Sequence, residues 1–164
     1  MIPRSPVLLA GMAVAPLLAL GGALLTQHVG GMMPCAWCVM QRLIFVAIAA
    51  SSLLALLLGS MHARSAGAGQ RVGAALAGLL AGCGMATALW QHLVASASTS
   101  CNMSFADRVM GFTGLDSRWP EVFAAYASCA EAKASLAGVP YEFWSLTLFA
   151  LLALAALRVT LQPR

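Results

Sequence analysis

Four long apolar runs alternate with polar segments along this chain of 164 residues. Each run can cross about 30 Å of hydrocarbon as a helix. Glycine and proline inside the runs are compatible with membrane helices. The pattern predicts an all-α membrane protein built as a four-transmembrane-helix bundle, with spans at approximately residues 7–26, 40–58, 72–94 and 143–161.

The composition supports the same class of protein. Hydrophobic residues make up 61% of the chain and charged residues 9%, whereas about a quarter of the residues of a soluble domain are charged. A chain of this length has room for one domain and none for a large soluble core, so residues 1–164 are expected to form a single integral membrane domain. The net charge of +4 follows from the topology described next, and no nucleic-acid partner is expected.

Charged residues distinguish the two sides of the predicted bundle. Basic side chains flank both termini and the loop between the second and third spans: Arg4, His62, Arg64, Arg71, Arg158 and Arg164. All five acids fall between the third and fourth spans: Asp107, Asp116, Glu121, Glu131 and Glu142. The positive-inside rule therefore predicts cytoplasmic termini and two extracytoplasmic loops, 27–39 and 95–142, the second long and carrying short helices. We expect a multi-pass protein of a bacterial inner membrane with periplasmic loops, whose first span is retained and is not a cleaved signal peptide.

Four cysteines form two pairs on these extracytoplasmic loops. Cys35 and Cys38 form a CxxC motif ahead of the second span, and Cys101 and Cys129 lie in the long second loop. A CxxC disulfide closes too short a loop to be a strong structural staple, but it is a good redox centre. On an oxidising side of the membrane both pairs can form disulfides. The arrangement suggests electron transfer from soluble thiols into the bilayer, although Cys101 and Cys129 alone would also suit a structural disulfide.

The residues around the CxxC favour a reactive thiolate. Pro34 suits the start of a helix, which would put Cys38 in its first turns. Arg42, four residues later, is then on the same helix face as Cys38. A helix N-terminus and an arginine both stabilise a thiolate. A charge inside a span indicates function by default, and the alternative for Arg42 is a side chain that snorkels to the interface.

The second loop contains two predicted short helices. Ser128 and Glu131 form a capping-box pattern that predicts a helix over 129–137 beginning at Cys129. Apolar residues of 119–126 recur at helical spacing, and that helix could lie on the bilayer or pack on the bundle. The Ser/Thr/Asn-rich stretch around Cys101 is expected to be flexible and accessible.

Two histidines and a fifth cysteine complete the set of candidate residues. His28 and His92 lie at the extracytoplasmic ends of the first and third spans, where a lone histidine can be a simple polar anchor. His92 is the better functional candidate because its predicted depth matches that of Cys38 and Arg42. Cys83, in the middle of the third span, is expected to be buried and inert.

Together these features resemble the bacterial disulfide-bond formation protein B (DsbB) family over nearly the whole chain. The resemblance rests on the four spans and on the residues Pro34, Cys35, Cys38, Gln41, Arg42, His92, Cys101 and Cys129. Gln41 stands where some members of that family have an acid, which should alter the charge of the site and not its chemistry.

The resemblance implies a protein-thiol:quinone oxidoreductase. A reduced, periplasmic, DsbA-like thioredoxin-fold oxidase would attack the Cys101–Cys129 disulfide at Cys101. Cys129 would then attack Cys35 of the Cys35–Cys38 disulfide and release Cys38 as a thiolate. Four cysteines allow three pairings, so this connectivity is an expectation from the resemblance.

The same resemblance implies a quinone cofactor, ubiquinone in preference to menaquinone, held by Cys38, Arg42 and His92. Arg42 would polarise a quinone carbonyl and His92 would border the ring. Soluble oxidases of this kind have reduction potentials of about −120 mV, so a stronger acceptor must remove their electrons. The expected partners are the soluble oxidase, the membrane quinone pool and the lipid bilayer.

Two other classes of function stay open from the residues. One is a non-enzymatic membrane scaffold with structural disulfides, which the CxxC at the membrane rim disfavours. The other is a haem-binding electron carrier with His28 and His92 as axial ligands. Val39 follows the CxxC where c-type haem attachment needs a histidine, which excludes that mode of attachment. No metal site is predicted.

Overall fold

Four long helices dominate the computed structural model, which describes residues 4–61, 66–97 and 103–162. All four are long and apolar enough to cross a membrane, with mean hydropathies of 2.2, 2.2, 1.8 and 1.8. The predicted four-helix membrane architecture is confirmed, and the helices extend beyond most of the predicted span ends into the polar flanks. The elements are α1 (Arg4–His28), α2 (Ala36–Met61), α3 (Ala66–Leu93), α4 (Phe105–Thr113), α5 (Leu115–Arg118), α6 (Pro120–Phe123), β1 (Ser135–Leu136), β2 (Val139–Pro140) and α7 (Tyr141–Thr160).

The core lies where α2, α3 and α7 face one another. The rings of Phe45 and Phe149 stack with centroids 4.2 Å apart and planes inclined by 14°. A Cβ atom at Gly84 would overlap the Phe149 ring, so α3 can approach α7 this closely only with glycine there. Small residues that allow close approach are a common basis of helix association in lipid. The α1 helix packs against α2 on the side of the bundle where Met12 is buried.

The second loop folds down onto the start of α2. Ser104 caps α4 through a reciprocal capping box with Asp107, and Gly114 ends the helix with a φ of 63°. Met110 of α4 and Phe123 of α6 are buried against Val39 of α2. Because these apolar contacts are made on the membrane bundle itself, the loop is held over the CxxC motif.

The two helices predicted in this loop differ from those observed. The helix predicted over 129–137 is wrong: the capping-box contacts of Ser128 and Glu131 close a single turn, which the β1–β2 hairpin then follows. Ala137 and Gly138, with φ values of 54° and 79°, form the hairpin turn, and this geometry interrupts any helix. Within 119–126 only Pro120–Phe123 is helical.

The segment after α6 is extended because it bonds to the first loop. The backbone N–H groups of Tyr126 and Ala127 both donate to the Pro34 carbonyl, at 3.0 and 3.3 Å. The apolar residues of the predicted helix therefore separate: Phe123 is buried on the bundle, whereas Trp119 and Tyr126 are exposed.

Cys83 differs from expectation in its surroundings. It is exposed on the outer face of α3, so the prediction that it is buried is wrong. In a membrane-spanning helix an exposed side chain at mid-span faces lipid tails. The thiol is therefore in an apolar environment, but outside the protein core.

Candidate redox site

Three cysteine side chains meet at the N-terminus of α2. Cys35 immediately precedes the helix and is fully buried, and its Sγ lies 3.1 Å from the Sγ of Cys38. Cys129, from the second loop, lies next to the Cys35 side chain and to the backbone of Trp37. The start of a helix presents unpaired N–H groups and a positive dipole end, which favour anionic sulfur. Cys101, the fourth predicted redox cysteine, lies outside the described residues.

The surroundings of Cys35 and Cys129 shift the pKa values of these two thiols in opposite directions. The bond to Cys129, the bond to Cys38 and burial together raise the pKa of Cys35 far above that of an ordinary thiol. The bond with Cys35, reinforced by the Trp37 backbone, lowers the pKa of Cys129 despite its partial burial. In the reduced state the protonated form of Cys35 is therefore favoured, and Cys129 ionises more readily than Cys35.

Arg42 is buried and does not snorkel. It is 6% exposed, and its Nη1 donates to Gln27 Oε1 at 2.7 Å and to the Val122 carbonyl at 2.9 Å. Gln27 Nε2 in turn donates to the Glu121 carbonyl at 3.2 Å. The ion pairs found among the described residues do not include Arg42, so neutral acceptors satisfy it and its charge is left for an anionic neighbour.

A cavity of about 510 Å³ opens beside Cys38 and Arg42. Its walls come from all four long helices, the first loop and the β1–β2 region, and its volume falls within the usual range for small-molecule sites. Most of its lining is apolar, while the polar side chains include Cys38, Gln41, Arg42, Gln91 and Glu142. Apolar walls beside a buried cation and a sulfur suit a small, mostly apolar molecule that carries a few polar atoms.

Two glutamines link α2 and α3 at the same place. Gln41 Nε2 donates to Gln91 Oε1 at 2.7 Å, and Gln91 Nε2 donates to Cys38 Sγ at 3.2 Å. Gln91 was not singled out from the sequence, and neither was Gln27. Each is a glutamine near the end of an apolar span, and this position could have marked them as candidates. Burying a polar side chain in a membrane bundle is costly, so such a residue is a functional candidate by default.

His92 lies one residue away from the cavity lining. Its Nδ1 is 2.7 Å from Glu142 Oε1, and its ring contacts the edge of Phe143 with centroids 4.7 Å apart. Glu142 lines the cavity and His92 does not, so a contact between His92 and a quinone ring stays a prediction. His28 pairs with a different carboxylate, that of Glu121, at 3.7 Å on the exposed surface.

Comparison with known proteins identifies relatives over nearly the entire chain. The sequence model of the family described as "Disulfide bond formation protein DsbB" matches residues 4–159. The chain is 35% identical to "Disulfide bond formation protein B" of Verminephrobacter eiseniae (strain EF01-2), over 94% of this chain and 84% of that protein. It is 32% identical to the protein of the same name from Herminiimonas arsenicoxydans, over 97% of this chain and 96% of that protein.

Proposed function

We propose, from the premise that the chain belongs to the disulfide bond formation protein B (DsbB) family, that it reoxidises a soluble thioredoxin-fold oxidase and delivers the electrons to a membrane quinone. Family membership itself makes the chain a multi-pass membrane oxidoreductase with a role in disulfide formation. The soluble partner, the quinone, the inner-membrane location and the periplasmic orientation of the loops are parts of the proposal.

The observation that best supports the proposal is the inaccessibility of Cys35. Its side chain is fully buried, so a soluble protein thiol cannot attack its sulfur directly. Cys129, which is partly exposed, contacts Cys35 from the second loop. A relay through the second loop would connect a soluble partner with Cys35 of the CxxC motif.

The relay consists of two thiol–disulfide exchanges. The partner's thiolate attacks Cys101 of the Cys101–Cys129 disulfide, forming a mixed disulfide and releasing Cys129 as a thiolate. Cys129 then attacks Cys35 of the Cys35–Cys38 disulfide: the Cys129–Cys35 bond forms, the Cys35–Cys38 bond breaks, and Cys38 leaves with the electron pair. The contact between Cys129 and Cys35 supports attack at this sulfur and not at Cys38.

The cavity side of the site stabilises the thiolate that this relay produces. Cys38 lines the cavity, accepts a hydrogen bond from Gln91 and shares the lining with Arg42. Both groups favour negative charge on the sulfur in a site with few other polar groups. Cys38, Arg42 and the apolar walls would hold a quinone, which when bound supplies the oxidant, accepting two electrons and two protons as it becomes quinol.

Quinone reduction by the purified protein tests the proposal. A reduced thioredoxin-fold oxidase serves as the electron donor, ubiquinone and menaquinone analogues are compared, and quinone absorbance is followed. Wild type should turn over, Cys38→Ser should not, and Cys38→Ser should still form a mixed disulfide with the donor. Cys83→Ala, at a thiol remote from the relay, is the matched cysteine control and should behave as wild type.

Two results would contradict the proposal. Full turnover in Cys38→Ser would show that electrons bypass this sulfur. Absence of turnover with either quinone class, in wild-type protein whose melting transition shows that it is folded, would favour structural disulfides.

A further inference from the structure

A hydrogen-bonded pair of glutamines controls the surroundings of the Cys38 sulfur. Gln41 and Gln91 are 4% and 6% exposed, and they connect α2 to α3 through the 2.7 Å bond between Gln41 Nε2 and Gln91 Oε1. The free end of the pair, Gln91 Nε2, points to Cys38 Sγ at 3.2 Å. The relay described above uses the bond from Gln91 to Cys38 only as one of two stabilising contacts, and it gives Gln41 no role.

The direction of the Gln91 amide decides its effect on the sulfur. A side-chain amide has a donor end and an acceptor end, and only the NH₂ end can stabilise a thiolate. Gln41 donates to the oxygen end, so the NH₂ end is turned toward Cys38. Because both amides are neutral, they stabilise the negative charge without delivering a proton to it.

Gln91 has no obvious substitute at this sulfur. The Nη1 atom of Arg42 is engaged by Gln27 and the Val122 carbonyl. Among the side chains that the structure describes, Gln91 is the donor to Cys38 from outside the cysteine pair. In a buried site a hydrogen bond to an ionised group is considerably stronger than one between neutral groups.

We propose that Gln91 is a catalytic residue that holds Cys38 as a reactive thiolate toward the cavity, and that Gln41 is a positioning residue that sets the direction of the Gln91 amide. The inference rests on the proposed function, because it assigns these residues to the step in which Cys38 is the departing thiolate. It differs from the expectation from the sequence that the residue at position 41 alters the charge of the site and not its chemistry.

Gln41→Glu distinguishes this role from simple helix packing. An ionised glutamate cannot donate to Gln91 Oε1 and would instead accept from Gln91 Nε2, which takes the NH₂ end away from Cys38. Gln41→Leu only removes the hydrogen bond to Gln91 Oε1, so the Gln91 amide can adopt either orientation. A positioning role therefore predicts a larger effect for the glutamate, although it is closer in shape to glutamine.

The test measures the reactivity of Cys38 in the full-length protein without quinone or partner. In a Cys35→Ser background Cys38 is a free thiol, and its alkylation by iodoacetamide at neutral pH is followed by peptide mass spectrometry. Gln91→Met should slow alkylation by about tenfold or more, the loss expected for a hydrogen bond to an ionised group. Gln41→Leu should slow it by only about twofold, and Gln41→Glu should fall clearly below Gln41→Leu.

Controls keep the result independent of misfolding and of the proposed function. The double variant Gln41→Leu/Gln91→Leu replaces both buried partners with apolar groups, so it should fold and still show the slow rate of Gln91→Met. Thr87→Val removes another buried polar group of α3, whose bond is to Gly84 within its own helix, and should leave the rate unchanged. Because no quinone is present, failure of quinone turnover would not alter these rates.

The inference is overturned by either of two outcomes. One is an alkylation rate in Gln91→Met, or in the folded double variant, that equals the rate of the Cys35→Ser protein with both glutamines intact. The other is equal rates in Gln41→Glu and Gln41→Leu, which would reduce Gln41 to a packing residue.

Discussion

Gln27 joins the first helix, the buried arginine and the second loop, and its replacement gives a quantitative prediction. It is 5% exposed, accepts from Arg42 Nη1 at 2.7 Å and donates to the Glu121 carbonyl at 3.2 Å. Gln27→Leu keeps a similar volume but removes both hydrogen bonds. The bond from the charged guanidinium contributes about 1.5–3 kcal/mol and the neutral bond about 0.5–1.5 kcal/mol.

The expected loss of stability is therefore about 2–4.5 kcal/mol, while Arg42 keeps its bond to Val122. For a chain of this length, about 2–4 °C of Tm corresponds to each kcal/mol, so Tm should fall by roughly 4–18 °C. Gln27→Glu is the matched comparison, because it keeps an acceptor for Arg42 and supplies an opposite charge while losing only the donor to Glu121. Its Tm should lie between those of wild type and Gln27→Leu.

Thermal unfolding of the purified protein in detergent, followed by intrinsic tryptophan fluorescence, gives the three Tm values. Limited proteolysis of the second loop provides a local measurement, and Gln27→Leu should be cleaved there faster than wild type. A Tm for Gln27→Leu that matches wild type, with unchanged cleavage, would refute the claim that Gln27 clamps the loop. A Tm for Gln27→Glu below that of Gln27→Leu would show that the arginine does not depend on this acceptor.

Three further predictions follow from the packing and the thiol environments. In the fully reduced protein Cys129 should be alkylated faster than Cys35 near neutral pH. The lowered pKa of Cys129 gives more thiolate at that pH, and the raised pKa of Cys35 gives less. Equal alkylation rates, measured by mass spectrometry, would contradict these pKa directions. Gly84→Ala should destabilise the bundle by about 1–3 kcal/mol through overlap with the α7 aromatic ring, whereas Gly82→Ala, whose Cβ would meet no atom within 4 Å, should leave Tm near that of wild type. Cys83→Ala should not change turnover or Tm, because the thiol is outside the core, and a loss of either would reveal a role for this lipid-facing cysteine.

The predictions made from local patterns agree best with the structure. The four spans were recognisable because hydrophobicity over about 20 residues is a local property of the chain. The capping box of Ser128 and Glu131 was also recognised, and its hydrogen bonds are present. The helix predicted to follow this capping box does not form. The chain turns at Ala137 and Gly138 into a hairpin that leads to α7, and the Ala134 carbonyl accepts from the Tyr141 backbone N–H.

The candidate site could be predicted only in part. Cys35, Cys38 and Arg42 were identified because they share the start of one span, and one turn of helix relates Cys38 to Arg42. Gln27 and Gln91 could not be assigned roles, since an amide near a span end has many possible partners and its sequence neighbours do not indicate which one it meets.

The amino-acid sequence by itself determined the membrane class, the number of spans and the position of the CxxC motif at the start of the second one. Only the tertiary structure decided which side chains surround these sulfurs. The deciding hydrogen bonds join residues 50, 80 and 94 positions apart: Gln41 with Gln91, Arg42 with Val122, and Gln27 with Glu121. Hydrophobic periodicity constrains only neighbours within one helix. These contacts depend instead on how the helices and the second loop pack against one another. The same packing places Cys129 next to Cys35.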